Sequence, residues 1–182
     1  LTQSEEDLKV AQYKVLEDWH DEHDGNLRVI LPDTYGTEKF LSNAPDWLAS
    51  WTGIRIDSGD PETGAELAIR WWNKMGENTK NKLIIFSDGL DTEKINYLYK
   101  KFSSDVQLGF GWGTLLTNDF RGLTKESSLD PFSLVCKAIQ ANGKPTVKLS
   151  DNVNKAMGPN EDVKKYMKIF ELSEQSQDSL IV

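Results

Sequence analysis

The chain has 182 residues, 21 Lys and Arg against 29 Asp and Glu, a net charge of −8 and a pI near 4.8. That length suits one domain with a real core, and the acidity argues against a nucleic-acid partner, since phosphate-backbone binders concentrate Lys and Arg. Mean hydropathy is −0.53, and no apolar run approaches the ~20 residues that cross a bilayer, so no membrane partner is expected. The single cysteine, Cys136, excludes an internal disulfide and fits a reducing cytoplasm. The start, Leu1-Thr2-Gln3-Ser4, lacks the basic and apolar stretches of a signal peptide. It also lacks an initiator Met, and the chain is expected to belong to something longer.

In chain order, Ser4 followed by Glu5, Glu6 and Asp7 predicts a capped helix with Leu8, Ala11, Val15 and Trp19 on its apolar face. A strand is predicted at Leu27–Leu31 after the Asp24-Gly25-Asn26 turn, and a short helix is expected to open after Pro45 through Trp47 and Leu48. Gly53-Ile54 forms the second strand. Asp60-Pro61, a cap with proline at the first helical position, opens a helix that should place Gly64, Ala68, Trp71 and Met75 inward and stop at Gly76. Of the Trp71-Trp72 pair, one is expected in the core and the other half-exposed. Lys82–Phe86 is the third strand, and Asp91 caps a helix with Ile95, Leu98, Tyr99 and Phe102 as its buried stripe. Val106–Leu108 is the fourth strand. Phe132–Ala138 and Thr146–Leu149 are expected to flank a hairpin turn at Asn142-Gly143, with Cys136 buried in its first strand. Asp162–Phe170 predicts a last helix with a solvated Lys and Glu face, and Ser173–Asp178 reads as a polar tail.

The strand starts at 27, 53, 82 and 106 recur at the period of a βα unit, with no sequence repeat beneath it. Four such units cannot close an eight-stranded barrel. An open doubly wound sheet is one solution; the missing start favours part of an α/β barrel.

Each predicted strand runs into a polar or glycine-rich turn. In parallel βα architectures those turns share one side of the fold, where ligands bind. Arg55 and Asp57 lie on the same side of an extended segment, as an ion pair or as a site for an anion and a sugar hydroxyl. Asp88 and Asp91 also read as helix caps, Asp91 the more so. Gly109-Phe110-Gly111-Trp112-Gly113-Thr114 is either a tight turn or a phosphate cradle of backbone N–H groups. It is neither a P-loop, since Leu115 follows Thr114, nor a dinucleotide fingerprint, which needs glycine at position 114. His20 and His23 suit a helix C-terminus better than a metal, and Cys136 has no nearby His to make it a nucleophile.

Together, Leu31-Pro32-Asp33-Thr34-Tyr35, Arg55-Ile56-Asp57-Ser58-Gly59-Asp60-Pro61, Phe86-Ser87-Asp88-Gly89-Leu90-Asp91, the glycine turn, and Asn142-Gly143-Lys144-Pro145 with Lys148-Leu149-Ser150-Asp151 resemble the C-terminal part of nicotinate phosphoribosyltransferase, over residues 5–171. The resemblance implies an irregular (β/α) barrel with a C-terminal β-hairpin and helix. The N-terminal domain and first barrel units would lie outside residues 1–182. It implies a cytoplasmic enzyme of NAD biosynthesis, a homodimer, joining nicotinate to phosphoribosyl pyrophosphate with ATP hydrolysis coupled through a phosphohistidine. Mg²⁺ would accompany the phosphates, with no tightly bound cofactor and no metal held by the protein alone. By the same resemblance Arg55 would contact the pyridine or phosphoribosyl group and Asp57 the ribose hydroxyls. Ser87, Asp88 and Gly89 would also bind substrate, and Gly111, Gly113 and Thr114 the 5′-phosphate. Asp33 would orient the catalytic histidine, whose segment is not in this chain; neither His20 nor His23 matches it, so the chain alone should not turn over. A nicotinamide-specific relative and a non-catalytic binding or assembly module are the alternatives.

Overall fold

The computed structural model describes residues 4–120, 122–123, 125, 129–152 and 155–172. Ser4 caps α1 (Glu5–Glu22), its hydroxyl accepting from Asp7 N while the Asp7 carboxylate accepts from Ser4 N, a reciprocal cap that satisfies two otherwise unpaired amides. The buried stripe differs from the predicted one. Tyr13 is the buried residue of α1, with Leu16 packed beside it, whereas Val15 and Trp19 are 65% and 43% exposed. The helix is seated by Tyr13, whose hydroxyl donates to Phe40 O at 2.8 Å and whose ring meets the Phe40 ring.

β1 (Val29–Ile30), β2 (Gly53–Ile56), β3 (Leu83–Phe86) and β4 (Gln107–Phe110) form one parallel sheet in sequential order. α2 (Thr37–Ser42), α3 (Pro61–Lys74) and α4 (Thr92–Phe102) connect them in turn. Such crossovers are right-handed and step in one direction, so the helices cover the same face of the sheet. That face holds the core: Ile30, Ile54, Ile56, Ile84 and Phe86 pack against Phe40, Leu48, Ala65, Ala68, Trp72, Leu98 and Phe102. The opposite face carries Arg55, Ile85 and Gly109, which pair side by side in register.

The caps Asp60 and Asp91 fall where the sequence puts them, accepting from Thr63 N and Lys94 N. Both Trp71 and Trp72 are buried in the same cluster, their ring centroids 6.2 Å apart. Tyr99 is exposed; the α4 stripe is Leu98 and Phe102 with Ile95 partly covered, the spacing of four that keeps one helix face on the sheet. α5 (Thr114–Thr117) is a single turn after the glycine segment.

The predicted strand over Phe132–Ala138 is not formed. The hairpin is β5 (Gln140–Ala141) and β6 (Lys144–Pro145), antiparallel, around Asn142 and Gly143 at φ 49° and 75°, the left-handed pair a two-residue turn requires. Residues 132–139 have no neighbouring strand, and Cys136 is exposed. α6 (Asn160–Ile169) then packs Ile169 and Phe170 with Leu149 and Tyr35, its charged face outward as predicted. The predicted polar tail, 173–178, lies outside the described residues. Among those described, no helix is long and apolar enough to cross a membrane.

Candidate active site

At the C-terminal end of β1 the chain turns through Pro32 into a short 3₁₀ turn, Asp33–Tyr35. The Asp33 carboxylate is 1% exposed. Burying a charge is costly unless it is paired and hydrogen-bonded. Here Oδ2 accepts from Ser58 Oγ at 2.7 Å, Lys148 Nζ at 3.0 Å and Ser150 Oγ at 3.3 Å. Oδ1 is buried with no hydrogen-bond partner among the described residues.

The lysine and one serine come from a strap, whose described residues are 148–152 and 155–157, with paired backbone bonds between Lys148 and Met157. Leu149 N and Ser150 N both donate to Thr34 O, at 2.8 and 3.3 Å. Ser150 sits at φ 72°, a left-handed conformation that costs a non-glycine residue ~1–3 kcal/mol and persists where surroundings over-determine it. Asp151 fastens the strap to the start of α2, accepting from Thr37 N at 2.8 Å and from the Thr37 hydroxyl. Desolvation pushes the Asp151 carboxyl above its ordinary pKa, against the pull of the Thr37 hydrogen bonds. The β2 turn passes so close that a Cβ on Gly59, at φ 74°, would lie 3.0 Å from Asp151 Cβ.

A second, more open cluster spans the ends of β2 and β3. Arg55 Nε donates to Ser87 Oγ at 2.7 Å and its Nη2 to Asp57 Oδ1 at 2.6 Å, while Ser87 Oγ donates to Asp57 Oδ1 at 2.9 Å. Parallel register brings Ser87 there, with its amide on Ile56 O at 2.9 Å. Lys155, at the far end of the strap, donates to Asp57 O at 2.8 Å and pairs with Asp88 Oδ2 at 3.0 Å. Gly111 donates its amide to Phe86 O at 2.7 Å, and a Cβ there would meet Ser87 Cβ at 3.1 Å. Trp112 packs against the core and anchors the turn. A Cβ on Gly113 would meet nothing within 4 Å, so that stretch of backbone is open to an approaching group.

Arg55, Asp57, Ser87 and Asp88 are thus joined, with Gly111 against them. Asp33 lies in a separate buried cluster that touches the first through adjacent residues, Asp57 and Ser58. Gly89, at φ 56°, turns the chain after Asp88, and Gly113 and Thr114 continue the glycine turn into α5. A cavity of about 1190 Å³ opens elsewhere, among α2, α3, the strap and α6, lined by Thr37, Ser58, Gly59, Ser150 and Asp151 among others. It shares Ser58 and Ser150 with the Asp33 cluster and does not include Arg55, Asp57 or Asp88. Sequence reasoning gives no role to Ser58, Lys148 or Ser150, though each lies in a segment quoted for the resemblance, and it passes over Lys155. The two lysines stand 115 and 98 residues from Asp33 and Asp57.

A sequence model of the nicotinate phosphoribosyltransferase (NAPRTase) family matches residues 1–174. The chain belongs to that family. Among solved structures, it is similar to a nicotinate phosphoribosyltransferase from Porphyromonas gingivalis at 34% identity and TM-score 0.80, over 91% of this chain and 43% of that one. The Vibrio cholerae enzyme matches at 31% identity and TM-score 0.82, over 91% and 40%. A putative nicotinate phosphoribosyltransferase from Saccharomyces cerevisiae matches at 31% and 0.79, over 92% and 42%. The chain therefore spans about two-fifths of the length of these relatives, and the parallel sheet and hairpin are the part of the nicotinate phosphoribosyltransferase fold it shares with them.

Proposed function

We propose that this chain forms the ribosyl-phosphate side of a nicotinate phosphoribosyltransferase site, within an irregular α/β barrel to which other parts of the protein contribute. The singly wound strand order supports the barrel, since a doubly wound sheet reverses order at its switch point. The reaction transfers the ribosyl C1′ from pyrophosphate to the pyridine nitrogen of nicotinate, with ATP hydrolysis coupled through a histidine upstream.

The observation that carries this reading is the Arg55–Asp57–Ser87–Asp88 network at parallel strand ends. Departure of pyrophosphate leaves positive charge on the ribosyl ring, so catalysis rests on fixed electrostatics and on holding the parts in line. Asp57, already oriented by Arg55 and Ser87, accepts from the ribose hydroxyls. Arg55 faces the pyridine carboxylate or the phosphoribosyl group. Ser87, Asp88 and Gly89 complete the sugar end, and Gly111, Gly113 and Thr114 offer the 5′-phosphate open backbone. Asp33 is a positioning residue: its unpartnered Oδ1 is an acceptor for the upstream imidazole, and filling it recovers the ~1–3 kcal/mol an orphaned buried acceptor costs. No group of three or more His, Cys, Asp or Glu among the described residues would hold a metal. Mg²⁺ arriving with ATP or pyrophosphate would be held by Asp57 or Asp88 beside the substrate phosphates, and would balance their charge.

The test incubates nicotinate, phosphoribosyl pyrophosphate and Mg²⁺-ATP with this chain and with a protein that joins it to the histidine segment. Nicotinate mononucleotide is expected from the second alone, and nicotinamide should not replace nicotinate. Turnover of nicotinamide in its place would move the protein to the amide branch. No turnover in the joined protein would favour a binding module.

A further inference from the structure

Among the described residues, Ser87 is the one whose side chain bonds both charged members of the strand-end network. Its Oγ accepts from Arg55 Nε at 2.7 Å and donates to Asp57 Oδ1 at 2.9 Å, and Asp57 Oδ1 accepts in turn from Arg55 Nη2 at 2.6 Å. A hydroxyl has one proton. This one is directed at Asp57, with Ile56 O a more distant acceptor at 3.3 Å. Ser87 therefore has no proton left for a substrate oxygen. Its backbone is fixed on both sides. The Ser87 amide donates to Ile56 O at 2.9 Å, Gly111 N donates to Phe86 O at 2.7 Å, and a Cβ on Gly111 would press on Ser87 Cβ at 3.1 Å.

The triangle closes one edge of the Arg55 guanidinium. In this planar group Nε–H and the nearer Nη2 proton point the same way, and they are the pair that Ser87 and Asp57 take. The other edge, Nη1 with the second Nη2 proton, has no partner among the described residues, and the side chain is 44% exposed. Such an edge is a fork of two parallel donors, matched by two oxygens of one carboxylate or phosphoryl group. An exposed ion pair alone holds a long side chain loosely. The second bond, to Ser87, turns one tether into a two-point clamp that fixes the plane of the fork before a ligand arrives.

We propose that Ser87 is a positioning residue that locks Arg55 with its open edge presented to a bidentate oxyanion, acting through Arg55 and not by touching substrate. The inference rests on the catalytic reading only for the source of that oxyanion, the carboxylate of nicotinate or a phosphoryl group of phosphoribosyl pyrophosphate. The lock rejects as well as holds. A carboxamide offers one acceptor and one donor group, so a clamped fork sets N–H against N–H, whereas a loose Arg55 turns aside and tolerates it.

Ser87→Ala in the protein that joins this chain to the histidine segment tests the lock with and without substrate. In ¹⁵N NMR spectra of the free protein, exchange of the Arg55 Nε–H with water should quicken about tenfold, with the melting temperature unchanged. Unchanged exchange overturns the proposal whatever the activity. In steady-state kinetics the KM of the substrate that Arg55 holds should rise about tenfold, while the other KM and kcat stay within about twofold. A rise for nicotinate, with a weaker preference over nicotinamide, assigns the fork to the carboxylate. A rise for phosphoribosyl pyrophosphate alone assigns it to a phosphoryl group. A fall in kcat with both KM values unchanged would make Ser87 a direct contact of the reacting groups and overturns the proposal, as does no kinetic change. A joined wild type without turnover fails the catalytic reading alone, and the exchange measurement still decides the lock.

Discussion

Between Val29 and Phe110 the apolar side chains that the strands and helices turn toward the sheet are covered: Ile54, Ala65 and Ala68 lie in one buried cluster, and Phe86 meets Phe102 at 6.2 Å between rings. Between Phe132 and Pro145 the residue types are as apolar and none is covered. The difference lies in topology rather than composition. In the sheet, crossovers return each helix to the face that needs covering. Among the described residues the arm, Phe132 to Pro145, pairs strand to strand only in its short hairpin, and its other hydrogen bonds run through its backbone carbonyls and Lys137. An apolar sequence shows that a surface needs burial; it does not show which surface supplies it.

The comparison breaks first if the two regions respond alike to truncation. Trp72→Ala, at a fully buried ring, should cost ~3–5 kcal/mol of unfolding free energy, and Leu134→Ala should stay within about 0.5 kcal/mol. Urea denaturation of the two variants at low protein concentration measures both. A comparable loss at Leu134 would mean that the arm is packed in the monomer.

The strand ends should separate from the core in the opposite sense. In a protein that joins this chain to the histidine segment, Asp57→Ala should lower kcat/KM by ~2–4 kcal/mol of transition-state stabilisation. The melting temperature should move little, since Asp57 is part-exposed and its neighbours Arg55 and Ser87 keep each other. A lowered melting temperature with kcat/KM unchanged would make Asp57 structural.

The smallest effect concerns the strap. Burial raises the Asp151 pKa in the folded protein, so its contribution to stability is fullest below its unfolded pKa and is lost as pH rises through the folded one. Asp151→Asn keeps an acceptor for Thr37 and removes the buried charge. Relative to wild type it should gain up to about 1 kcal/mol between pH 4 and pH 7, read from paired melting curves. A relative loss over that range would show that the Asp151 charge is stabilising.

Much of this was legible in the residues. The caps Ser4, Asp60 and Asp91, the βα period and the turn at Asn142-Gly143 each rest on local chemistry, and each fell in place. Failures came where partners are distant. Val15 and Trp19 have the right spacing for a buried face, but Tyr13 and Leu16 are the residues that pack on the core. Trp71 lies in the same buried cluster as Trp72, which residue order alone does not show. Cys136 and its neighbours have strand-like composition without an adjacent strand to pair with. At the site, Arg55, Asp57 and Ser87 share one neighbourhood because strand ends converge, as the turns implied. Lys155 was invisible, and Lys148 was quoted without a role, because a strap folded back over the strand ends brings both there.

The central claim is that the open backbone beside this network receives a ribosyl 5′-phosphate. Calorimetric titration of nicotinate mononucleotide and of nicotinate into the protein joined to the histidine segment, as wild type and as Gly113→Val, tests it most directly. A Cβ at Gly113 meets nothing within 4 Å, so the valine should clash with no part of the fold, and an unchanged circular dichroism spectrum establishes that it obstructs only an incoming anion. The account predicts that mononucleotide binding is lost while nicotinate binding is nearly unchanged. Equal losses for both ligands, or no loss for either, would contradict it.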